Sequence, residues 1–337
     1  MIAKQDKVIG LDFGSQSVKI AVVRKKSDEI LEVEDFYTVK CDIGENFVGY
    51  LEEGRLKEDL KNIWNVLKLK GVKVSVILPF YTTILIPFRR KGYISKEKIE
   101  DLIKEELTRN SPIPVEELVF DYFIYSHDEE EVRGIQVVSR KSLIEKLASL
   151  IEDLGSKIAL IDSTYTALTN LVIFEEETKD FLVVDIGHSS TKLIVVKDYE
   201  ITSNRYTVAA SGKSITERIA ELTGKSIEEA ESAKTSFDLE SHIYETLSEE
   251  IGASIFSELI SLGTDCFNVS KIYLTGGGSL LLGLKDKIRE LTNIDTEIFI
   301  PKKRLTYSKN IQNMLLEITV PRFIASIGST IGVLSSQ

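Results

Sequence analysis

One segment of this chain occurs twice. Residues 12–23 read DFGSQSVKIAVV and residues 185–196 read DIGHSSTKLIVV, and the two align without a gap, 173 positions apart. Asp12/Asp185, Gly14/Gly187, Ser17/Ser190, Lys19/Lys192, Val22/Val195 and Val23/Val196 are identical pairs. Each copy follows an apolar run, Val8–Leu11 or Phe181–Val184, and leads into a further β-branched stretch. Strand, glycine turn, strand is the local reading, a hairpin made twice, so the two halves of the chain are expected to repeat. Gly14 and Gly187 are expected to adopt backbone conformations that a side chain would oppose.

Short hairpin matches also arise by chance. What argues against chance is the acid at the end of each buried strand. Asp12 and Asp185 are costly there as packing alone, and a metal ion is the obvious partner for them. The turns add backbone N–H groups and the hydroxyls of Ser15, Ser17, Ser189, Ser190 and Thr191, a concavity of donors suited to phosphate. Two such hairpins face to face would grip a polyphosphate, with Mg²⁺ between Asp12, Asp185 and the phosphate oxygens and several waters kept on the ion.

A third element lies near the C-terminus, KIYLTGGGSLLLGLKDKIREL. Ile272–Leu274 reads as a short strand, and Gly276, Gly277 and Gly278 as a turn where backbone comes close to something flat or anionic. Leu280, Leu281, Leu284, Ile288 and Leu291 then recur at helical spacing. The spacing predicts a glycine loop that opens a helix, the arrangement that cradles nucleotide phosphate. Three glycines alone are an ordinary strand–helix turn; their weight comes from following the two hairpins.

DFGSQSVKI resembles the first phosphate motif of the actin-like ATPases, DIGHSSTKL their second, and LTGGGSLLLGL their adenosine motif, in the same order and with the same wide spacing. The resemblance spans nearly the whole chain. It is strongest toward the PilM-type family of type IV pilus assembly proteins, with the cell-division FtsA family as a cousin. Residues 77–125, 205–234 and 323–334 resemble that family's lead into an inserted subdomain, the segment after its second phosphate hairpin, and its closing helix. One departure is His188-Ser189-Ser190 after Gly187, where many relatives are glycine-rich.

The resemblance implies an α/β chain with the actin-like, ribonuclease H-like duplicated two-lobe ATPase fold and a small inserted subdomain. It implies ATP and Mg²⁺ as cofactors. Gly14, Ser15, Gln16, Ser17, Lys19, Gly187, Ser189, Ser190, Thr191, Gly212 and Lys213 would meet the phosphates. Asp12 and Asp185 would hold the metal. Glu231 and Lys234, three apart and so on one helical face, would take the ribose, and Gly276, Gly277, Gly278 and Ser279 the adenosine. A surface ion pair is the alternative for Glu231 and Lys234. For Lys19 it is a strand lysine facing water, the reading given to Lys192. The implied partner is the cytoplasmic N-terminal peptide of a PilN-like inner-membrane protein, with a pilus assembly ATPase as a further candidate partner. The protein would be cytoplasmic and peripheral to the inner membrane through its partners.

The expected layout is lobe one at 1–87, the inserted subdomain at 88–155, and a return to lobe one at 156–179. Lobe two follows at 180–208, a helical subdomain at 209–265, the lobe-two return at 266–320, and a C-terminal helix back to lobe one at 321–337. The strand Val72–Leu78 reads as alternating and half-buried. Ser95 reads as the N-cap of a helix carrying Ile99, Leu102, Ile103 and Leu107. The strand Leu118–Phe123 is aromatic-rich, with apolar surface to offer a docked peptide. Asp162-Ser163-Thr164 reads as a group near an attacking water or as a helix N-cap. His127 and His242 read as solvated, and Glu129–Glu131 and Glu175–Glu177 as exposed loops or helix ends. No residue marks a general base, so slow or absent hydrolysis is expected.

Composition narrows the rivals. With 42 basic against 53 acidic residues, net −11, direct nucleic-acid binding is disfavoured. Cys41 and Cys266 alone cannot make a disulfide scaffold, a cysteine zinc site or the cluster of a dehydratase activator. No stretch reaches the ~20 apolar residues of a membrane span, and neither a signal-peptide core nor an amphipathic membrane tail of FtsA type is read. An FtsA-like cytoskeletal protein and, less favoured, an actin-fold small-molecule kinase are the alternatives. The kinase would need an aspartate base that no motif marks.

Overall fold

Duplication in the sequence returns as duplication in the hydrogen bonding. The structure is a computed structural model that describes residues 6–41, 43–44, 46–312 and 315–335. In the first half, β1 (Lys7–Phe13) pairs antiparallel with β2 (Ser17–Lys25), and β2 with β3 (Leu31–Lys40), while β4 (Lys73–Leu78) lies parallel on the other side of β1. A separate three-stranded sheet follows, of β5 (Thr83–Lys91), β6 (Leu118–His127) and β7 (Glu131–Arg140) in the order β5-β7-β6. The chain then returns to the first sheet with β8 (Lys157–Ser163), parallel to β4.

The second half repeats the plan. β9 (Phe181–Ile186), β10 (Thr191–Lys197) and β11 (Glu200–Thr207) form an antiparallel meander. β12 (Lys271–Thr275) pairs parallel with β9 and with β13 (Thr296–Ile298), and β14 (Leu305–Tyr307) adds to the edge of the first sheet on β3. The orders β3-β2-β1-β4-β8 and β11-β10-β9-β12-β13 correspond strand for strand. Even the irregularity is shared: β2 slips register against β3 between Val22 and Val23, and β10 slips against β11 between Val195 and Val196. These are the equivalent valines of the repeat.

Alternation along β1 and β9 feeds two layers each. Val8, Phe181 and Val183 face a central core, whereas Ile9, Leu11 and Phe13 face one outer core and Leu182, Val184 and Ile186 another. The central core is filled by the helices Thr164–Glu176 and Ile324–Leu334, which lie between the two sheets. Ile324–Leu334 sits so close that a Cβ on Gly10 would meet Ser326 O at 1.8 Å and one on Gly328 would meet Ala167 O at 2.2 Å. Only glycine fits either position. Each fully buried Leu, Ile, Val or Phe in these layers contributes roughly 1.5–3 kcal/mol.

Several details depart from the sequence reading. β4 is buried on both faces: Val74, Ser75, Val76 and Ile77 are each 0% exposed. Ser75, which gave the strand its look of alternation, is tolerated because its hydroxyl donates to Ser329 O at 2.7 Å. The inserted sheet starts at Thr83, before the expected boundary at 88. The helix Lys141–Asp153 packs Leu143, Leu147, Leu150 and Ile151 into the outer core of lobe one rather than into the insertion. What the insertion keeps to itself is β5–β7 and the helix Lys96–Asn110, with Ile99, Ile103 and Leu107 buried on the sheet and Leu102 at the surface. Ser95 precedes that helix without a side-chain cap bond. The stretch expected to be helical, 209–265, holds the helices Gly212–Thr223, Ile227–Ser236 and Ser241–Leu262. Glu175, read as exposed, is 2% exposed. Its carboxylate accepts from the backbone N–H groups of Lys303, Arg304 and Leu305, the last two at 2.9 and 3.1 Å. His127, read as solvated, is half-buried with Nε2 2.6 Å from Ile94 O. Residues 1–5 and 336–337, the ends of the expected first and last segments, lie outside the described residues.

Candidate functional site

Both hairpins close on an aspartate facing a lysine. Asp12 stands opposite Lys19 in the β1–β2 register, and Asp185 opposite Lys192 in β9–β10. Lys19 Nζ is 3.5 Å from Asp12 Oδ2, a loose contact, while Lys192 Nζ donates to Asp185 Oδ2 at 3.1 Å. The other oxygen of Asp185 accepts from the Thr275 hydroxyl at 3.0 Å. Lys192, expected to face water, is therefore buried in an ion pair, and its ammonium also lies 5.4 Å from the centre of the Phe80 ring. Asp12 keeps more of its oxygen surface uncommitted than Asp185 does.

The turns match as well. Gly14 N donates to Ser17 O at 3.1 Å and Gly187 N to Ser190 O at 3.0 Å. Neither glycine has a left-handed φ, so the expected conformational reason for them does not hold. Their reason is space: a Cβ on Gly14 would lie 3.2 Å from Lys19 Nζ, and one on Gly187 would lie 3.1 Å from Lys192 Nζ. Among the described residues, the N–H groups of Ser15, Gln16, His188 and Ser189 donate to nothing within the chain. Ser190 Oγ is buried without a hydrogen-bond partner. Thr191 is held inside the chain, its hydroxyl donating to Ala210 O at 2.8 Å.

The helix Gly212–Thr223 starts on the second turn. Gly212 N and Lys213 N donate to the carbonyls of Gly187 and His188 at 2.8 and 2.7 Å, and Ser211 caps Ser214 N. Two of its leading N–H groups thus clamp the hairpin rather than standing free. The Lys213 side chain is exposed, near Glu217 at 3.9 Å. Lys234 reaches back to the same helix, donating to Gly212 O, Thr216 Oγ1 and Glu231 Oε2 at 2.8, 2.6 and 2.6 Å. Burial pulls its ammonium below the ordinary lysine range, Glu231 opposes this, and the charge of Arg322 adds to it. Burial alone would raise the Glu231 carboxyl, but bonds from Lys234 and Thr216 hold it below its usual range. The pair is a partly buried anchor of helix Ile227–Ser236, not a loose surface pair.

His188 is half-buried at the mouth of the second turn. Burial first, then the charge of Lys234, hold its imidazole below the usual range; Glu231 opposes them, and Lys213 and Lys19 add smaller contributions in the same downward direction. Phe80, at the end of the first lobe's sheet, lies 5.4 Å from Lys192 Nζ and 4.8 Å from the Tyr206 ring, which sets the first lobe against the second hairpin. Asp162, at the end of β8, is half-buried, and desolvation raises its carboxyl to about 6 despite bonds from the Thr166 hydroxyl and Ser163 N. Ser163 is the N-cap of helix Thr164–Glu176, with a capping box to Thr166.

The glycine turn after β12 completes the arrangement, but not by opening a helix. Gly277–Leu280 is a single 3₁₀ turn, and the helix Leu284–Thr292 begins only after Gly283. Gly276 has φ +79°, and a Cβ on it would lie 2.4 Å from Ile186 O, while one on Gly278 would lie 2.2 Å from Ile186 Cγ2. The turn is thus pressed onto the end of β9 beside Asp185. Gly277 faces open space, the nearest atom to a built Cβ being Arg322 Cγ at 3.9 Å. Ser279 is buried and donates to Gly276 O at 2.7 Å. The equivalent turn in lobe one, Phe80–Thr82 after β4, is also 3₁₀, with aromatic residues in place of glycines. A cavity of about 400 Å³ opens at the opposite end of β1, where Arg24 and Lys7 are already paired with Glu32 and Glu34. Among the described residues no three carboxylate, thiol or imidazole groups gather as a metal cage.

The profile of the family described as type IV pilus assembly protein PilM matches residues 10–332. The chain belongs to the PilM family. A solved PilM-PilN type IV pilus biogenesis complex contains a chain 22% identical to it at a TM-score of 0.79, covering 98% of this chain and 99% of that one. MreB5 of Spiroplasma citri bound to AMPPNP is similar at 13% identity and a TM-score of 0.55, over 96% and 95% of the two chains. The ethanolamine utilization protein EutJ from Carboxydothermus hydrogenoformans is similar at 13% and 0.54, over 96% and 88%. No curated protein matches the chain. The PilM-family fold here is the actin-like one. No helix among the described residues is long and apolar enough to cross a membrane.

Proposed function

We propose that this PilM-family protein binds ATP with Mg²⁺ between its two hairpins and works as an adaptor for the cytoplasmic N-terminal peptide of a PilN-like membrane protein. The observation that carries the reading is the pair of equivalent Asp–Lys hairpins, one in each lobe, with Phe80 of the first lobe set against Lys192 and Tyr206 of the second. Two features fit a bound polyphosphate: the unengaged N–H groups of both turns, and the orphaned Ser190 hydroxyl. Asp12 and Asp185 would hold Mg²⁺ through its waters, since Asp185 already serves Lys192 and Thr275. Lys19, loosely held at 3.5 Å, is the cation free to turn to phosphate. Glu231 and Lys234 would meet the ribose, and the glycine turn the base.

When bound, Mg²⁺–ATP supplies the charge that ties the lobes together. The chain offers little to hydrolyse it. Asp162 carries a raised carboxyl near the lobe connection, but it is already bonded to Thr166 and Ser163. Phosphate release should be slow or absent.

The inserted sheet is the proposed peptide site. On β6, Phe120 and Tyr122 turn toward the helix Lys96–Asn110, while Val119 and Phe123 are 39% and 62% exposed on an edge strand. An extended peptide could pair with that edge and seat side chains on it. The experiment is calorimetric titration of the full chain with the N-terminal peptide of the PilN-like protein from the same genome, with and without Mg²⁺–ATP. Phe123→Asp should abolish binding without unfolding the chain. Unchanged peptide affinity in that variant would move the site away from β6, and no binding by the unmodified chain would remove the adaptor role.

A further inference from the structure

Arg322 is the residue near the candidate site that neither the hairpins nor the glycine motif explains. It lies in the 3₁₀ turn Val320–Phe323, which leads into the helix Ile324–Leu334. Its two neighbours are fixed. Pro321 is buried and its carbonyl accepts from Gly276 N at 2.9 Å, and the Phe323 ring stacks on Phe36 at 4.5 Å. Arg322 itself is half-buried and has no hydrogen bond or ion pair among the described residues. In a chain with 53 acids to 42 bases, carboxylates are in surplus, so a half-buried arginine without one is unusual.

Its place is narrowly set. Among the described residues, Arg322 Cγ is the only atom within 4 Å of a Cβ built on Gly277, the one glycine of the three that faces open space. Its charge also reaches Lys234, which is bonded to Glu231. The backbone of Gly277, the Arg322 side chain and the Glu231–Lys234 pair therefore lie near one another, with the open side of Gly277 as the slot between them. It has a peptide plane on one side and, close by, a cation whose donors meet no partner among the described residues.

We infer that Arg322 lies against the base of the bound nucleotide and sets base affinity, an inference that rests on the nucleotide reading above. A planar aromatic ring suits the slot, because a guanidinium stacks on π faces and a peptide plane offers no clash. A phosphate partner is less well matched, since the phosphate donors lie at the hairpin turns and Lys19.

The test is binding of Mg²⁺–ATP and of Mg²⁺–tripolyphosphate to the full chain and to Arg322→Ala and Arg322→Lys. Loss of the stacked cation should weaken ATP roughly 3- to 30-fold and leave tripolyphosphate unchanged, with Arg322→Lys recovering only part of the loss. Equal weakening of both ligands would make Arg322 a phosphate contact and overturn the inference, as would unchanged ATP affinity in Arg322→Ala. If the unmodified chain binds tripolyphosphate but not ATP, a base slot does not exist. If it binds neither, the nucleotide reading itself fails.

Discussion

Lys192 Nζ lies 3.1 Å from Asp185 Oδ2, and both side chains are 11% exposed. Lys19 and Asp12 hold the same register at 3.5 Å with 25% and 16% exposure. The two copies of one hairpin thus differ in how firmly the aspartate is committed. Removing one partner of a buried pair leaves an uncompensated charge. Lys192→Met should therefore cost about 3 kcal/mol, and Lys19→Met about 1 kcal/mol or less. Urea unfolding of both variants measures the difference, and equal costs would mean that the two pairs are equally solvated.

Glu175 gives a second stability test. Its carboxylate serves three consecutive backbone N–H groups in the turn before β14. Glu175→Ala orphans them and should cost about 3 kcal/mol, the scale of a hydrogen-bonded buried charge. Glu176→Ala, which loses a contact to the exposed Lys303 side chain, is the matched control and should stay within about 0.5 kcal/mol. A Glu175 variant as stable as that control would show the turn to be held by other means.

Asp162 sets a pH dependence. Its folded value of about 6 lies above the ordinary carboxyl value near 3.9, so the native state holds a proton that the unfolded chain has lost. The resulting stabilisation is complete below about pH 4 and is lost as the pH rises through 6, on the order of 3 kcal/mol in all at most. The stability of Asp162→Asn relative to the unmodified chain should rise across that window and level off above it. Parallel stability curves from pH 4 to 7 would contradict the desolvated carboxyl.

His188 reports on the cleft itself. Burial and three nearby lysines depress its imidazole. A polyphosphate among those lysines would reverse the local field, so Mg²⁺–ATP should raise the His188 titration midpoint seen by NMR. An unmoved or lowered midpoint under saturating nucleotide would place the phosphates elsewhere.

The sequence exposed the hairpins because identical residues recur in strands whose pleat alternates between two cores, as Val8 and Ile9 do. Lys192 was equally visible as the copy of Lys19. Its burial was not, because the Phe80 ring that covers it comes from the other lobe. Glu175 was masked by its acidic neighbours, although it follows Leu168, Leu171 and Val172 at helical spacing and so faces the core. Periodicity alone predicts a helix start at the glycine turn, because it cannot show that Gly283 separates the 3₁₀ turn from the helix. Arg322 had no local signal, for its position depends on contacts to Gly276 and Phe36, far away in sequence.

The central claim is that the two hairpins and the glycine turn form one Mg²⁺–ATP site. Calorimetric titration of Mg²⁺–ATP into the unmodified chain, Asp12→Ala and Gly277→Val tests it most directly, each protein's thermal unfolding confirming that it is folded. Gly277 faces open space, so a valine there fills the slot without disturbing β9, whereas the same change at Gly276 would clash with Ile186. The account predicts saturable binding by the unmodified chain, with stabilisation of about 2.7 kcal/mol at 100 times the Kd, and loss of binding in both folded variants. Undiminished binding in Asp12→Ala and Gly277→Val, or none by the unmodified chain, would contradict it.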